Sequence, residues 1–200
     1  MISFVPRRIL HLLANWKWTE RSEPAVDLAL AEQRLGAHVR FVCGLAPEEA
    51  DESVALRAQI KGLDPIVTLP ISKHFRFSSV IRDIPKLKVL IKNFNPHVVH
   101  FHMRNAHLMG AFASLPLPTS FRKVRSCYDP LGPKTDLRSR FLYNHCTDGL
   151  VVINKKAMAQ AIRVYNLAGN NVLIAEPGVD LDRFSPLRQV KPTRRDLGLK

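Results

Sequence analysis

The chain has no apolar stretch near the ~20 residues that a membrane-spanning helix needs, no paired cysteines, and no glycine-rich turn behind its first apolar run. Each absence excludes something. The early run Ile9–Ala14 contains a histidine, follows Arg7-Arg8 and leads into Asn15-Trp16-Lys17-Trp18 without a small-residue cleavage motif, so it reads as a buried strand and not as a signal. Cys43, Cys127 and Cys146 are odd in number, far apart and in no C-x-x-C spacing. Neither a disulfide framework nor a zinc site is expected, and isolated thiols suit a reducing cytoplasm. No G-x-G-x-x-G follows the first strand, which removes the pyrophosphate turn of a Rossmann dehydrogenase.

Acidic side chains are scarce over most of the length. Residues 19–64 hold 9 acidic and 5 basic groups, whereas residues 65–200 hold 22 basic and 8 acidic, within a net charge of +13. A basic surface of that size attracts phosphates, an anionic membrane or nucleic acid. The basic residues are dispersed among helices, with few aromatics between them and no helix-turn-helix, zinc-finger or RNA-binding signature. Nucleic acid is therefore not the expected partner, and a non-catalytic basic binding module stands as the alternative to an enzyme.

What is present is alternation. Short apolar runs at Arg8–Ala14, His38–Gly44, Pro65–Pro70, Pro96–Met103, Lys123–Asp129, Gly149–Asn154 and Asn171–Ala175 read as strands covered on both faces. Between them fall helical patterns at Pro24–Leu35, Glu48–Lys61, Asp83–Asn95, Asn105–Ser114, Asp136–Cys146 and Lys155–Leu167. Gly36 and Gly62 stop the first two. Glu48 and its acidic neighbours suit the start of the second helix, and Asp83 as N-cap with Pro85 in the first turn suits the third. The expected fold is a doubly wound, Rossmann-like α/β domain of seven parallel strands with helices on both faces.

The chain then changes character at Glu176-Pro177-Gly178-Val179-Asp180-Leu181-Asp182-Arg183-Phe184-Ser185-Pro186. A Pro-Gly turn followed by mixed charges reads as an interdomain connection, with Leu181 and Phe184 spaced to pin one turn against the domain. That segment resembles the connector between the two domains of family 4 glycosyltransferases. Three further segments resemble motifs of that family and occur in its order: Arg34-Leu35-Gly36-Ala37-His38-Val39, Pro96-His97-Val98-Val99-His100-Phe101-His102, and Cys146-Thr147-Asp148-Gly149-Leu150-Val151-Val152-Ile153-Asn154. The matches span roughly residues 8–186.

The resemblance implies one half of a GT-B architecture. Residues 1–186 would form the N-terminal, acceptor-side domain, and 187–200 the start of a C-terminal domain that binds a nucleotide-diphosphate sugar. It implies sugar transfer with retention to a glycan or lipid-linked acceptor, no metal and no cofactor, with the donor-contacting glutamates in the other half, supplied in cis or in trans. Catalytic residues are expected outside this chain, and residues 1–200 alone are expected to be inactive. Two departures stand out. Asn15–Pro24 lacks the Gly-Gly turn that many members carry, and Tyr128 stands where a histidine near the sugar is expected.

Candidate contact residues follow from position. Open α/β sheets bind ligands beyond the carboxyl ends of their strands, which selects Trp16, Lys17, His102, Arg104, Asn105, Tyr128 and Asp129. Indole faces also stack well on sugar rings. His100, His102 and His107 lie close in sequence, but no carboxylate or cysteine accompanies them, so no metal is expected. Lys73, Arg76, Arg82, Lys86, Lys88 and Lys92 surround an amphipathic helix preceded by Phe75 and Phe77. That pattern suits peripheral docking on the anionic inner face of a membrane.

Overall fold

The computed structural model describes residues 6–64, 66–71, 77–115, 121–165, 167–176, 178 and 181. Among the described residues seven strands, β1 (Arg8–Leu13), β2 (His38–Gly44), β3 (Ile66–Leu69), β4 (Val98–Phe101), β5 (Arg122–Cys127), β6 (Gly149–Val152) and β7 (Val172–Ile174), alternate with six α-helices. The helices are α1 (Ser22–Arg34), α2 (Val54–Ile60), α3 (Phe77–Phe94), α4 (Arg104–Ser114), α5 (Leu137–His145) and α6 (Lys155–Val164). All strands pair in parallel, in the order β3-β2-β1-β4-β5-β6-β7. The order reverses between β1 and β4, and such a switch point opens a crevice at the carboxyl ends of the strands.

The expected doubly wound sheet is thus the observed one. Its main core joins Leu10, Leu12, Phe41, Val42, Val99 and Phe101 with Val26 and Ala29 of α1 and Leu87 and Ile91 of α3. A second core gathers Leu150, Val152, Ala157, Ala161 and Val172 around β6 and α6. Gly44 ends β2 where the chain meets the turn after β1. A Cβ there would come within 2.8 Å of the Asn15 carbonyl carbon and 2.9 Å of the Ile71 oxygen, so only glycine lets these three segments close up. Gly110 plays the same part on α4, where an added Cβ would reach 2.1 Å from the Phe101 ring.

Two helix starts differ from the sequence reading. The acidic run after Pro47 does not open α2: Ala50 N–H closes a turn on the Pro47 carbonyl, and Ser53 caps the helix by accepting from Leu56 N–H. A side-chain oxygen that bonds an otherwise orphan N–H outweighs a diffuse preference for negative charge. Asp83 is not an N-cap either. Helix α3 begins at Phe77 and carries Pro85 in its interior, with Asp83 fully buried and paired to Arg82 at 3.0 Å. Burial of Leu87 and Ile91, with Ile84, Leu90 and Phe94 packed against the same core, holds the helix through the proline.

Of the connector only Glu176, Gly178 and Leu181 fall among the described residues, and Leu181 is 77% exposed. It does not pin the turn as its spacing with Phe184 suggested, because it packs on neither core. Phe184 and residues 187–200 lie outside the described residues, as do Lys73, Phe75 and Arg76.

Candidate functional site

Strand register assembles the site. His11 of β1 lies opposite His100 of β4 and Phe41 of β2, and side chains in register on neighbouring strands share a face. His102, two residues past His100, falls on that face beyond the end of β4. All three histidines are buried. His11 Nδ1 and His102 Nε2 are 2.8 Å apart, His11 Nε2 is 2.6 Å from Glu32 Oε2 on α1, and His102 Nδ1 is 2.8 Å from the Tyr128 hydroxyl. His100 Nε2 meets the Ser126 hydroxyl at 2.8 Å.

With both imidazoles neutral and Glu32 ionised, this chain has one consistent proton arrangement. The carboxylate can only accept, so His11 Nε2–H donates to it and leaves Nδ1 as an acceptor. His102 Nε2–H must then donate to His11, and the Tyr128 hydroxyl must donate to His102 Nδ1. At His102 and His100 neutrality is what the environment favours. Burial, then the neighbouring histidines and Arg125, hold His102 well below the ordinary imidazole range, and burial, His11 and Arg125 do the same for His100. Burial pushes the Tyr128 phenol up to about 12, so it keeps its proton. The Tyr128 oxygen also hydrogen-bonds the Ser126 side chain, and its remaining lone pair suits a hydroxyl donor.

The nitrogen atoms of His11, His100 and His102 lie within 4.8 Å of one another, the spacing at which three imidazoles could share a metal ion. Two ligands on a tetrahedral zinc at ~2.0–2.1 Å stand about 3.3 Å apart. His11 and His102 are closer than that, with rings only 10° from parallel and the intervening hydrogen bond already made. The set as it stands serves as a hydrogen-bond chain.

Beyond the strand ends opens a cavity of about 330 Å³. Its walls come from the end of β4 and the start of α4 (His102, Met103, Arg104, Asn105), the end of β5 (Arg125, Cys127, Tyr128, Asp129), the turn Gly132–Lys134, and Ser139 and Tyr143 of α5, with Arg21 facing them. No side chain caps the N-terminus of α4. Arg104 Nη2 donates to Asp136 Oδ2 at 2.6 Å and to Ser139 Oγ at 3.2 Å, while Asp136 caps α5 by accepting from Ser139 N–H. Burial favours the protonated Asp136 carboxyl, but the Ser139 N–H and the Arg104 guanidinium outweigh it and hold the group below its ordinary range. Asp129 shapes the turn that follows, accepting from Leu131 N–H at Oδ1 and from Gly132 N–H at its carbonyl; Gly132 has φ +87°, a left-handed conformation that suits glycine.

The sequence model of Glycosyltransferase Family 4 matches residues 25–183. The chain belongs to Glycosyltransferase Family 4. No curated protein sequence matches it, but solved structures share its fold. It is similar to Alr3699/HepE of Anabaena, solved in complex with UDP-glucose, at TM-score 0.71 and 14% identity over 96% of this chain and 50% of that one. A glycosyltransferase from Rickettsia africae gives 0.68 and 13%, covering 98% and 48%. A UDP-N-acetylglucosamine 2-epimerase from Rickettsia bellii gives 0.67 and 15%, covering 98% and 52%. The chain thus spans about half the length of the structures it matches, and its Rossmann-like sheet is one half of a GT-B architecture.

Within this family 4 domain the residues chosen from sequence divide in two. His102, Arg104, Asn105, Tyr128 and Asp129 converge on the cavity. Trp16 and Lys17 do not line it. Lys17 Nζ sits 5.1 Å over the Trp16 ring, and the Trp16 carbonyl accepts from Val54 N–H, so this turn is tied to α2 instead. Trp18 packs against the main core. His107 is separate from the histidine chain as well, bonded to Thr147 Oγ1 at 3.0 Å and pushed down to about 3 by burial and then Arg125. Its place beside His102 is taken by His11, which an apolar strand concealed. Sequence reading also missed Arg21, Arg125, Lys134 and Tyr143. The one available signal was Arg125 itself, a full charge inside a strand expected to be covered on both faces.

Proposed function

We propose that this domain binds the acceptor in a transferase that moves a sugar, with retention, from a nucleotide-diphosphate sugar to a glycan or lipid-linked acceptor. Residues 1–186 are the acceptor-side unit and 187–200 lead toward a donor-binding half, in cis or in trans. The observation that carries the reading is the cavity at the carboxyl ends of β4 and β5, where His102 fixes the Tyr128 hydroxyl and Arg104 and Asn105 open α4. Polar groups held by a closed hydrogen-bond chain select hydroxyl-bearing ligands well, because a ligand lacking the matching group leaves them unpaired. The family match supports transfer as the reaction, and the crystallised neighbour with UDP-glucose supports a nucleotide-sugar donor.

Transition-state stabilisation in this reading needs the donor-side groups. Residues 1–200 alone should therefore bind acceptor-like sugars and transfer nothing. An NMR titration with oligosaccharides should shift Tyr128, His102 and Arg104, whereas a UDP-sugar should leave them little changed. Sugars that move nothing, with UDP saturating the same residues, would place the donor here and overturn the reading.

A lipid-linked acceptor gives use to a membrane-facing surface. On α3, Arg82, Lys86, Val89 and Lys92 are exposed while Leu87 and Ile91 are buried, so basic side chains and one apolar residue share the outer face. Among the described residues no helix is long and apolar enough to cross a membrane, and docking from the cytoplasmic side would be peripheral. Anionic vesicles should then sediment the protein and high salt should release it. Equal sedimentation with neutral vesicles would contradict that surface.

A further inference from the structure

The cavity contains a charge that the fold leaves unanswered. Arg125 is 5% exposed and projects from β5 on the face opposite the histidines, beneath α4 and α5. Its Nη1 donates to the Phe101 carbonyl at 3.1 Å and to the Ser126 carbonyl, and the guanidinium also hydrogen-bonds the Tyr143 side chain. Among the described residues no carboxylate lies within ion-pair distance of it, and its Nε, shielded from water, has no hydrogen-bond partner. Carbonyl oxygens carry only partial charges, so a full guanidinium charge at that depth is an electrostatic penalty for the empty domain. Its field is felt widely, since it disfavours protonation of His100, His102 and His107.

The rest of the lining has the same sign. Arg21, Arg104 and Lys134 join Arg125 around the cavity, against the single carboxylate of Asp129. Arg104 is answered by Asp136, and Asp129 Oδ1 is engaged by the Leu131 N–H. Arg21 on the exposed rim has Glu20 at 3.9 Å, so the excess positive charge sits at Arg125 on the floor and at Lys134 on the rim. Tyr128, with its proton committed to His102, supplies a hydroxyl acceptor beside them.

We propose that this cavity binds an anionic group, a phosphate or a carboxylate, carried on the acceptor sugar, with Arg125 as its buried counter-charge. The anion completes the guanidinium, and Tyr128 accepts from a neighbouring sugar hydroxyl. Water exclusion at Arg125 makes a charge-assisted bond there stronger than one at the rim. The acceptor class that follows is a phosphorylated or uronic-acid sugar, not a neutral one. This inference rests on the acceptor-side reading.

Calorimetric titration of the 200-residue chain with inorganic phosphate, glucuronate, glucose and UDP tests it. Phosphate and glucuronate should compete for one site, and glucose should bind at least about tenfold more weakly than glucuronate. Arg125→Met should weaken phosphate by about tenfold or more, and Lys134→Gln by a few-fold, as fits a buried and an exposed charge. Thermal melts establish that Arg125→Met is folded; should it not fold, Lys134→Gln with Arg21→Gln must still lower phosphate affinity. Unchanged phosphate affinity in a folded Arg125→Met variant, or in the double rim variant, overturns the proposal. Glucose binding as tightly as glucuronate overturns it too, while leaving the acceptor-side reading in place. If UDP displaces phosphate and glucuronate cannot, the anion belongs to the donor and the acceptor-side reading itself fails.

Discussion

On one face of β4 and β5, His102 and Tyr128 join His11 and Glu32 in one hydrogen-bond chain, and His100 bonds Ser126 beside it. On the other face of the same strands, Phe101 packs against α4 while Arg125 holds two carbonyls and leaves Nε without a partner. Both faces bury polar groups, but only the first closes its account among its own residues. A satisfied network stabilises and orients, whereas a buried charge without a counter-charge stabilises nothing until a ligand supplies one. The difference assigns the histidines to positioning and Arg125 to binding.

Stability measurements can break that distinction. The largest effect is expected from His11→Leu, which strands Glu32 on one side and His102 on the other. It should cost about 3 kcal/mol in urea unfolding, within the range for buried polar groups left unpaired. A loss under about 0.5 kcal/mol would mean that the chain of hydrogen bonds is incidental.

Acid should act next. His107 is pushed down to about 3 in the folded domain, while an unfolded histidine titrates near 6.5. Its folded pKa lies below its unfolded one, so its contribution is whole above about pH 6.5 and is lost as pH falls toward 3. The unfolded chain binds the proton that the native state refuses. Between pH 7 and pH 5 that amounts to about 2 kcal/mol from His107 alone, with His100 and His102 acting in the same direction. Unfolding free energies that stay level across this range would contradict buried neutral imidazoles.

Tyr128→Phe removes one donor from the network and should cost about 1 kcal/mol. The smallest change is expected from Arg125→Met, within about 1 kcal/mol of the parent, because removing an uncompensated buried charge offsets the lost carbonyl contacts. A loss above about 3 kcal/mol would show that Arg125 is a structural brace and erase the contrast between the faces.

The sheet was readable because its strands are continuous apolar runs. His38–Gly44 was found with both ends in place, and the order of motifs carried the family. Helix starts were harder where two local signals competed, as at Glu48 against Ser53, since composition does not reveal which oxygen reaches an N–H. Half of the site was legible from strand ends, which led to His102, Arg104, Asn105, Tyr128 and Asp129. His11 was hidden because its partner His102 lies 91 residues away, just past the end of β4, and becomes a neighbour only through strand register. Arg125 was overlooked although its strand was expected to be covered on both faces, because the sequence does not show which basic residue of the strand is buried without a carboxylate beside it.

The most direct measurement is side-chain ¹⁵N NMR of the arginine Nε–H groups during titration with glucuronate. Arg125 Nε–H is expected to shift as the site saturates, with smaller changes at Arg21. Saturation that moves only exposed arginines, with Arg125 unchanged, would contradict a buried anion site and leave the cavity without its central claim.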